Sequence, residues 1–357
     1  MENSLLRSSS RPVANWVLLG VFMLLVQVIL GGVTRLTGSG LSITEWNVVT
    51  GALPPINNQQ WINEFEKYKQ TPQYNLLNND FTLSNFKFIF FWEWFHRFWA
   101  RMIGVVFIIG FIYLLIKRKL KPEMIIPLII LFLIGAMQGT IGWIMVKSGF
   151  DPDSIYVKPT KLALHFIFAL GLICYALWFA LQLIITPAQI VRNNNARKLT
   201  WFIIFILFFQ LIYGALMAGH KAANAAPTWP LINGDFIPPT LLKLSPAIVN
   251  FINNKITVHF MHRGLAYLLF ILLMIWTYKI YKLSSSSAYL KKSKNIPLLI
   301  VCVQILLGIT AVLTSPQIIP NHWGLFEWIA ELHQITGMLF LLIMIYMLYV
   351  IRPVRNY

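Results

Sequence analysis

Eight long apolar runs, set apart by shorter polar stretches, dominate the chain. They cover about residues 13–33, 95–116, 124–146, 161–184, 199–218, 258–281, 296–314 and 329–351. A helix crossing the hydrocarbon core of a bilayer needs about 20 apolar residues, and each run comes close to or exceeds that length. The pattern predicts an all-α integral membrane protein with eight transmembrane helices. Two longer polar segments, about 34–94 and 219–257, interrupt the series, and both fall on the same side of the membrane. The first opens on Gly31-Gly32-Val33-Thr34-Arg35-Leu36-Thr37-Gly38-Ser39-Gly40. Its glycines and hydroxyls predict a turn rather than a continuing helix, one able to approach a ligand closely, with Arg35 as an anion partner. Trp46, Trp61, Trp92 and Trp94 suit an aromatic belt at the interface.

Composition agrees with this pattern. The chain is 57% hydrophobic and 11% charged, with mean hydropathy +0.66, which is the range of polytopic membrane proteins. The net charge of +17 raises the question of nucleic acid. The basic residues form no continuous patch, however, and nucleic-acid binding is excluded on that ground. They sit in short clusters: Arg7 and Arg11; Lys117, Arg118, Lys119 and Lys121; Arg192, Arg197 and Lys198; Lys282, Lys291, Lys292 and Lys294; Arg352 and Arg355. With eight spans all these clusters lie on one face, so both termini are expected to be cytoplasmic. Residues 1–12 read as a cytoplasmic tail, and the first run is too long for the core of a cleavable signal. Cys174 and Cys302 lie inside apolar runs, which argues against a disulfide or a cysteine metal site.

The two halves repeat each other. Gln27…Gly31 and Pro54-Pro55 correspond to Gln210…Gly214 and Pro238-Pro239. His96-Arg97 and Ala100 correspond to His262-Arg263 and Ala266, and Gln138, Gly142 and Val146 to Gln304, Gly308 and Val312, all at an offset of 166. Leu164-His165 matches Leu332-His333. Four helices per repeat is an even number, so the halves run in the same direction, as parallel repeats about an axis along the membrane normal. The expected division is an N-terminal four-helix bundle over 13–190 and a C-terminal one over 191–357. The extra residues of the first half, 57–87, are polar and suit an outer lid.

Ionisable groups at membrane depth face protein, a cavity or a cofactor. His96, His165, His262 and His333 all fall near the outer helix ends, two per half and on different helices. Two neutral imidazoles facing each other across a bundle can ligate a haem iron, whereas zinc needs three or four ligands. Arg97 and Arg263 suit propionate recognition, or else snorkelling to the headgroups. Glu93 precedes His96 by three residues, where the second half has His259 before His262. A carboxylate there can take part in proton transfer or stabilise a developing cation. The Glu93 half is therefore expected to hold the reacting molecule, and the other half an electron-transfer haem. His220 and His322 read as solvated loop residues.

At these residues the sequence resembles the haem A synthase family, in the branch of alphaproteobacteria and mitochondria that lacks cysteine pairs in its outer loops. The motifs are GGVTRLTGSGLSITEW (31–46), EWFHRFWAR (93–101), QGTIGWIMVKSG (138–149), KLALH (161–165), HRGLAY (262–267) and ELHQITG (331–337). The resemblance implies oxidation of the C8 methyl of haem O to a formyl group, giving haem A for cytochrome oxidase. It implies His96 and His165 as substrate-haem ligands, Glu93 as the catalytic residue, and a haem b cofactor on His262 and His333. It also implies an external redox partner, contact with haem O synthase, and a place in the bacterial inner membrane, or the mitochondrial one in a eukaryote. A di-haem electron-transfer cytochrome and a haem-delivery assembly factor share the four histidines. A transporter shares the parallel repeats but calls for charged groups near the bilayer midplane.

Overall fold

The computed structural model describes residues 2–46, 50–152, 154–283, 287–319 and 322–352, and Arg355 of the basic C-terminal cluster lies outside them. Eight helices are long and apolar enough to cross a bilayer. They are α1 (Glu2–Leu36), α4 (Leu83–Ile116), α5 (Pro122–Lys147), α6 (Pro159–Ile184), α7 (Asn194–Gly219), α9 (Lys255–Leu283), α11 (Ile296–Thr314) and α12 (Leu325–Val350). Short helices α2 (Asn58–Lys69), α3 (Pro72–Leu77), α8 (Asn250–Asn253) and α10 (Ala288–Ser293) lie between them. No strand forms among the described residues, and Val191 and Ile351 meet only in an isolated bridge.

Local chemistry sets several helix starts. Thr82 caps α4: its hydroxyl accepts the Asn85 amide while the Asn85 side chain accepts the Thr82 amide at 3.0 Å. Pro122, Pro159 and Pro297 occupy first turns, where a missing N–H costs nothing. The long helices are apolar on all sides rather than along one stripe, as helices surrounded by lipid and protein must be. On α4, Leu114 is buried while Ile108, Ile109, Ile112 and Ile116 are exposed. The α1 helix packs on α4 and α6, and α5 on α6. Likewise α7 packs on α9 and α12, and α11 on α9 and α12. Contacts of α6 with α7 and α12, and of α1 with α12, join the two sets. The continuous core includes Ile173, Ile203, Leu273, Trp276 and Met344. Trp276 Nε1 donates to the Thr200 hydroxyl at 2.8 Å and pins α9 to α7.

Three expectations change. The glycines of 31–32 do not end α1, which continues to Leu36. The turn comes later, at Gly38, whose φ is +70. Neighbours fill the space that these glycines leave, and that offsets their poor helix propensity of about 1 kcal/mol each. The outer part of α4 begins at Leu83, not near residue 95. At 34 residues α4 is about 50 Å long, longer than the hydrocarbon core is thick. Its added turns exist because Phe86, Ile89 and Phe90 pack against Phe65 and Tyr68 of α2. Residues 57–87 are therefore α2, α3 and the start of α4 around an aromatic core anchored on α4, rather than an irregular polar loop. Trp61 is part of that core, 5.1 Å from the Phe90 ring, and Trp94 donates to the Ala52 carbonyl at 3.0 Å. Both contact the outer segment.

Candidate functional site

The same side-chain arrangement occurs four times where helices meet. Gln27 and Gly31 lie one turn apart on a single face of α1, and His96 of α4 rests against both. Gln27 Nε2 is 3.2 Å from each His96 ring nitrogen and donates to the His96 carbonyl at 3.2 Å. A Cβ on Gly31 would stand 3.2 Å from His96 Cε1. On α5, Gln138 Nε2 lies 3.1 Å from Nδ1 of His165 of α6, and a Cβ on Gly142 would come within 2.9 Å of its Cε1. On α7, Gln210 Nε2 lies 3.4 Å from Nε2 of His262 of α9, with Gly214 beneath the ring. On α11, Gln304 Nε2 lies 3.3 Å from Nε2 of His333 of α12, and a Cβ on Gly308 would come within 2.9 Å of Cε1. The bare glycine faces let the imidazoles approach the helix backbone.

The glutamines restrict each ring. The Nδ1 of His333 is 3.1 Å from the Gln304 carbonyl; with the proton on Nδ1, the lone pair stays on Nε2. The side-chain oxygens of Gln27, Gln138, Gln210 and Gln304 are buried without a hydrogen-bond partner among the described residues. An amide turned over presents that oxygen to a ring N–H instead. The sequence reading used these glutamines and glycines only as repeat markers. Their contact with histidine is tertiary, and the shared register of Gln, Gly and His was the available signal.

The His262 and His333 ring centroids are 6.3 Å apart, with the planes 72° to one another. Metal–imidazole bonds of about 2 Å on both sides of one ion put the two centroids about 6 Å apart. The separation of the pair matches that of two rings on one metal. Among the described residues no three His, Cys, Asp or Glu side chains gather as a metal-holding group. All four histidines and all four glutamines line one cavity of about 1240 Å³. His165, His262 and His333 stand about two turns inside their helices. His96 lies deeper within α4, because that helix extends farther outward.

The residues beside the histidines hold the outer segments down. Glu93 is buried, and its carboxylate accepts from the Ser42 hydroxyl at 2.7 Å and the Ile43 amide at 2.9 Å. Arg97 pairs with Glu93 at 2.6 Å. It also donates to the carbonyls of Glu45 at 3.0 Å and Ile43 at 3.2 Å, and covers the Trp46 ring. In the other half, buried His259 donates from Nε2 to the Ala222 carbonyl at 2.7 Å. Arg263 donates to Thr228 at 2.8 Å, Leu231 at 3.3 Å and Ala226 at 2.9 Å, all backbone carbonyls. Both arginines line the cavity, but neither snorkels free. His220, expected to be solvated, hydrogen-bonds the Ile252 carbonyl at 2.7 Å, while His322 is exposed.

Arg35 sits in the last turn of α1, not in a loop, and lies close to Glu331 and Glu327 of α12. A Cβ on Gly32 would fall 2.0 Å from Glu331 Oε2, so only glycine admits that carboxylate. Gln334 follows it across, donating to the Val28 carbonyl at 3.1 Å. An acid inside an apolar run was the missed signal for Glu331.

The family model described as COX15-CtaA, cytochrome oxidase assembly protein, matches residues 14–349. A protein of Flavobacterium psychrophilum named heme A synthase is 40% identical, over 93% of this chain and 96% of its own. Similar proteins of the same name occur in Beijerinckia indica, at 40% identity over 93% and 90%, and in Bartonella henselae, at 36% over 92% and 91%.

Proposed function

The chain belongs to the COX15-CtaA family of cytochrome oxidase assembly proteins, and we propose on that premise that it is a haem A synthase. It is a multi-pass membrane oxidoreductase that converts the C8 methyl of haem O stepwise to the formyl group of haem A. The observation that carries this reading is the fourfold Gln–Gly–His arrangement around one cavity. A cavity of about 1240 Å³ with mostly apolar walls and a few placed polar groups suits a large flat ligand with an iron centre.

The roles divide between the halves, which form parallel repeats over 13–190 and 191–357 with both termini cytoplasmic. His262 and His333 would hold the resident haem b, and their ring centroids stand 6.3 Å apart. When bound, haem b supplies one-electron redox capacity. Gln210 and Gln304 orient these rings, and Gly214 and Gly308 leave room for them. His96 and His165 receive haem O, oriented by Gln27 and Gln138. Glu93 lines the cavity one turn from His96 and acts as the catalytic carboxylate. Ser42, Ile43 and Arg97 hold its two oxygens in place. Arg35, Arg97 and Arg263 give the cavity a cationic rim for carboxylates. Electrons leave to a separate redox partner, haem O synthase delivers the substrate, and the membrane is the bacterial inner membrane or its mitochondrial equivalent.

Haem extraction tests the proposal. The chain is expressed in a bacterial host that makes haem O but no haem A, with a compatible electron partner, and extracted haems are separated by chromatography. Haem A or its hydroxylated intermediate is expected. Bound haem b with haem O unchanged would replace the enzyme reading with an electron-transfer cytochrome or a haem-delivery factor.

A further inference from the structure

The turns that follow α1 and α7 carry the same hydrogen bonds. After α1, Thr37 N donates to Val33 O at 2.9 Å, Gly38 N to Arg35 O at 3.2 Å and Ser39 N to Thr34 O at 2.9 Å. After α7, His220 N donates to Leu216 O at 2.9 Å, Lys221 N to Ala218 O at 3.2 Å and Ala222 N to Met217 O at 2.9 Å. An offset of 183 relates each pair, as it relates Gln27 to Gln210 and Gly31 to Gly214. The central residue of both turns is left-handed, with φ +70 at Gly38 and φ +47 at Lys221. Glycine adopts that conformation freely, whereas a residue with a Cβ does so at a cost. Nothing in the turn repays Lys221 for it, since its backbone makes only the bonds that Gly38 makes. Arg118, exposed after α4, has the same turn and a φ of +51, so it is the position of the Lys221 side chain, not the backbone conformation, that marks the residue out.

The side chain of Lys221 crosses from the C-terminal elements to the segment between α5 and α6. Its Nζ stands 3.5 Å from the centroid of the Tyr156 ring. Lys221 and Tyr156 line the cavity together with Arg35. Among the described residues Lys221 takes part in no ion pair. Lys221 is exposed, and the nearby protein, then the positive charge of Arg35, lower the pKa of its ammonium from its usual value. The two cations thus repel each other beside the cavity. Arg35 has Glu331 and Glu327 nearby, although its Nε is buried without a hydrogen-bond partner among the described residues. Glu327 is itself engaged by the Gly324 amide at 2.8 Å. Among the described residues Lys221 has only an aromatic face.

We propose that Lys221, placed by its left-handed turn and braced on Tyr156, is a carboxylate-recognition residue of the cavity that takes a propionate-type carboxylate of the bound tetrapyrrole. The inference rests on the haem reading given above. It extends that reading to a residue outside the histidine motifs, on the turn that ends α7, whose side chain reaches Tyr156 of the N-terminal half. The placement suits the task. A flexible ammonium serves as a point charge, and the Tyr156 ring limits the positions it can occupy.

The test uses the full chain in detergent micelles, purified from haem-limited cells. It is titrated with iron protoporphyrin IX and with the dimethyl ester of the same porphyrin, which has no free carboxylate. Three proteins are compared: wild type, Lys221→Gly and Lys221→Arg. Glycine suits the left-handed turn, so Lys221→Gly is expected to match or exceed the wild-type thermal midpoint. It is expected to weaken free-acid binding about tenfold, the scale of one charge-assisted hydrogen bond, and to leave ester binding unchanged. Lys221→Arg is expected to recover most of the free-acid affinity. An equal loss for acid and ester would show a packing role and overturn the proposal, as would no loss for either. A wild-type chain that binds neither porphyrin would refute the haem reading itself, and this inference with it.

Discussion

The segments that follow α1 and α7 are held down by residues of different chemistry at matching positions. Glu93, one turn before His96, grips Ser42 and Ile43 with a carboxylate. His259, one turn before His262, grips Ala222 with an imidazole. Arg97 and Arg263 then fasten the backbone carbonyls beyond. Shared scaffolding thus survives an exchange of chemistry. The exchange leaves a carboxylate beside one histidine pair and a neutral ring beside the other. On the function proposed above, this difference inside a common frame divides the labour: reaction near His96 and His165, electron transfer at His262 and His333.

The largest effects should come from the histidines. His262→Ala or His333→Ala is expected to abolish the low-spin haem b spectrum, whereas His165→Ala should leave it and stop turnover. A haem b spectrum unaffected by either C-terminal change would break the comparison. Next comes Glu93→Ala, which should abolish turnover while the haem b spectrum stays. It should also lower stability by about 3 kcal/mol, because Arg97 loses a buried ion-pair partner. His259→Ala removes one neutral hydrogen bond and should cost about 1 kcal/mol, with much of the turnover kept. Thermal midpoints in detergent and a turnover assay read both variants, and equal turnover losses would show that the two positions do the same job. Gly308→Ala and Gly142→Ala place a Cβ 2.9 Å from a ring carbon of His333 and His165 respectively. The first should deplete haem b and the second should lower turnover with haem b intact, each several-fold. The smallest effect is expected from Gln304→Leu, which removes an amide from His333. It should shift the haem b midpoint potential by roughly 40 mV, the one-electron equivalent of about 1 kcal/mol. The matching change at Gln138 should leave that potential alone, and redox titration distinguishes the two.

Much of this arrangement was legible in the chain. The eight apolar runs predict eight helices because lipid allows few other ways to satisfy the backbone, and the four histidines stood out because polar groups are rare in such runs. The course of α1 through Gly31 and Gly32 was not legible. Local propensity argues against it, and the compensation comes from His96, Glu331 and Gln334 on distant helices. The outer extension of α4 was hidden for a similar reason, since its aromatic residues find their partners in α2. Arg97 and Arg263 read as free cations because backbone carbonyls leave no signature in sequence. The approach of Arg35 to Glu331 of α12 brings together residues nearly the whole chain apart, and no spacing rule reaches that far.

The most direct test of the divided cavity is His96→Ala, made in the host that supplies haem O but no haem A, with both the haem content and the reduced-minus-oxidised spectrum of the purified protein measured. The account predicts a normal haem b spectrum, no haem A and little retained haem O. Loss of the haem b spectrum while haem A is still produced would contradict it.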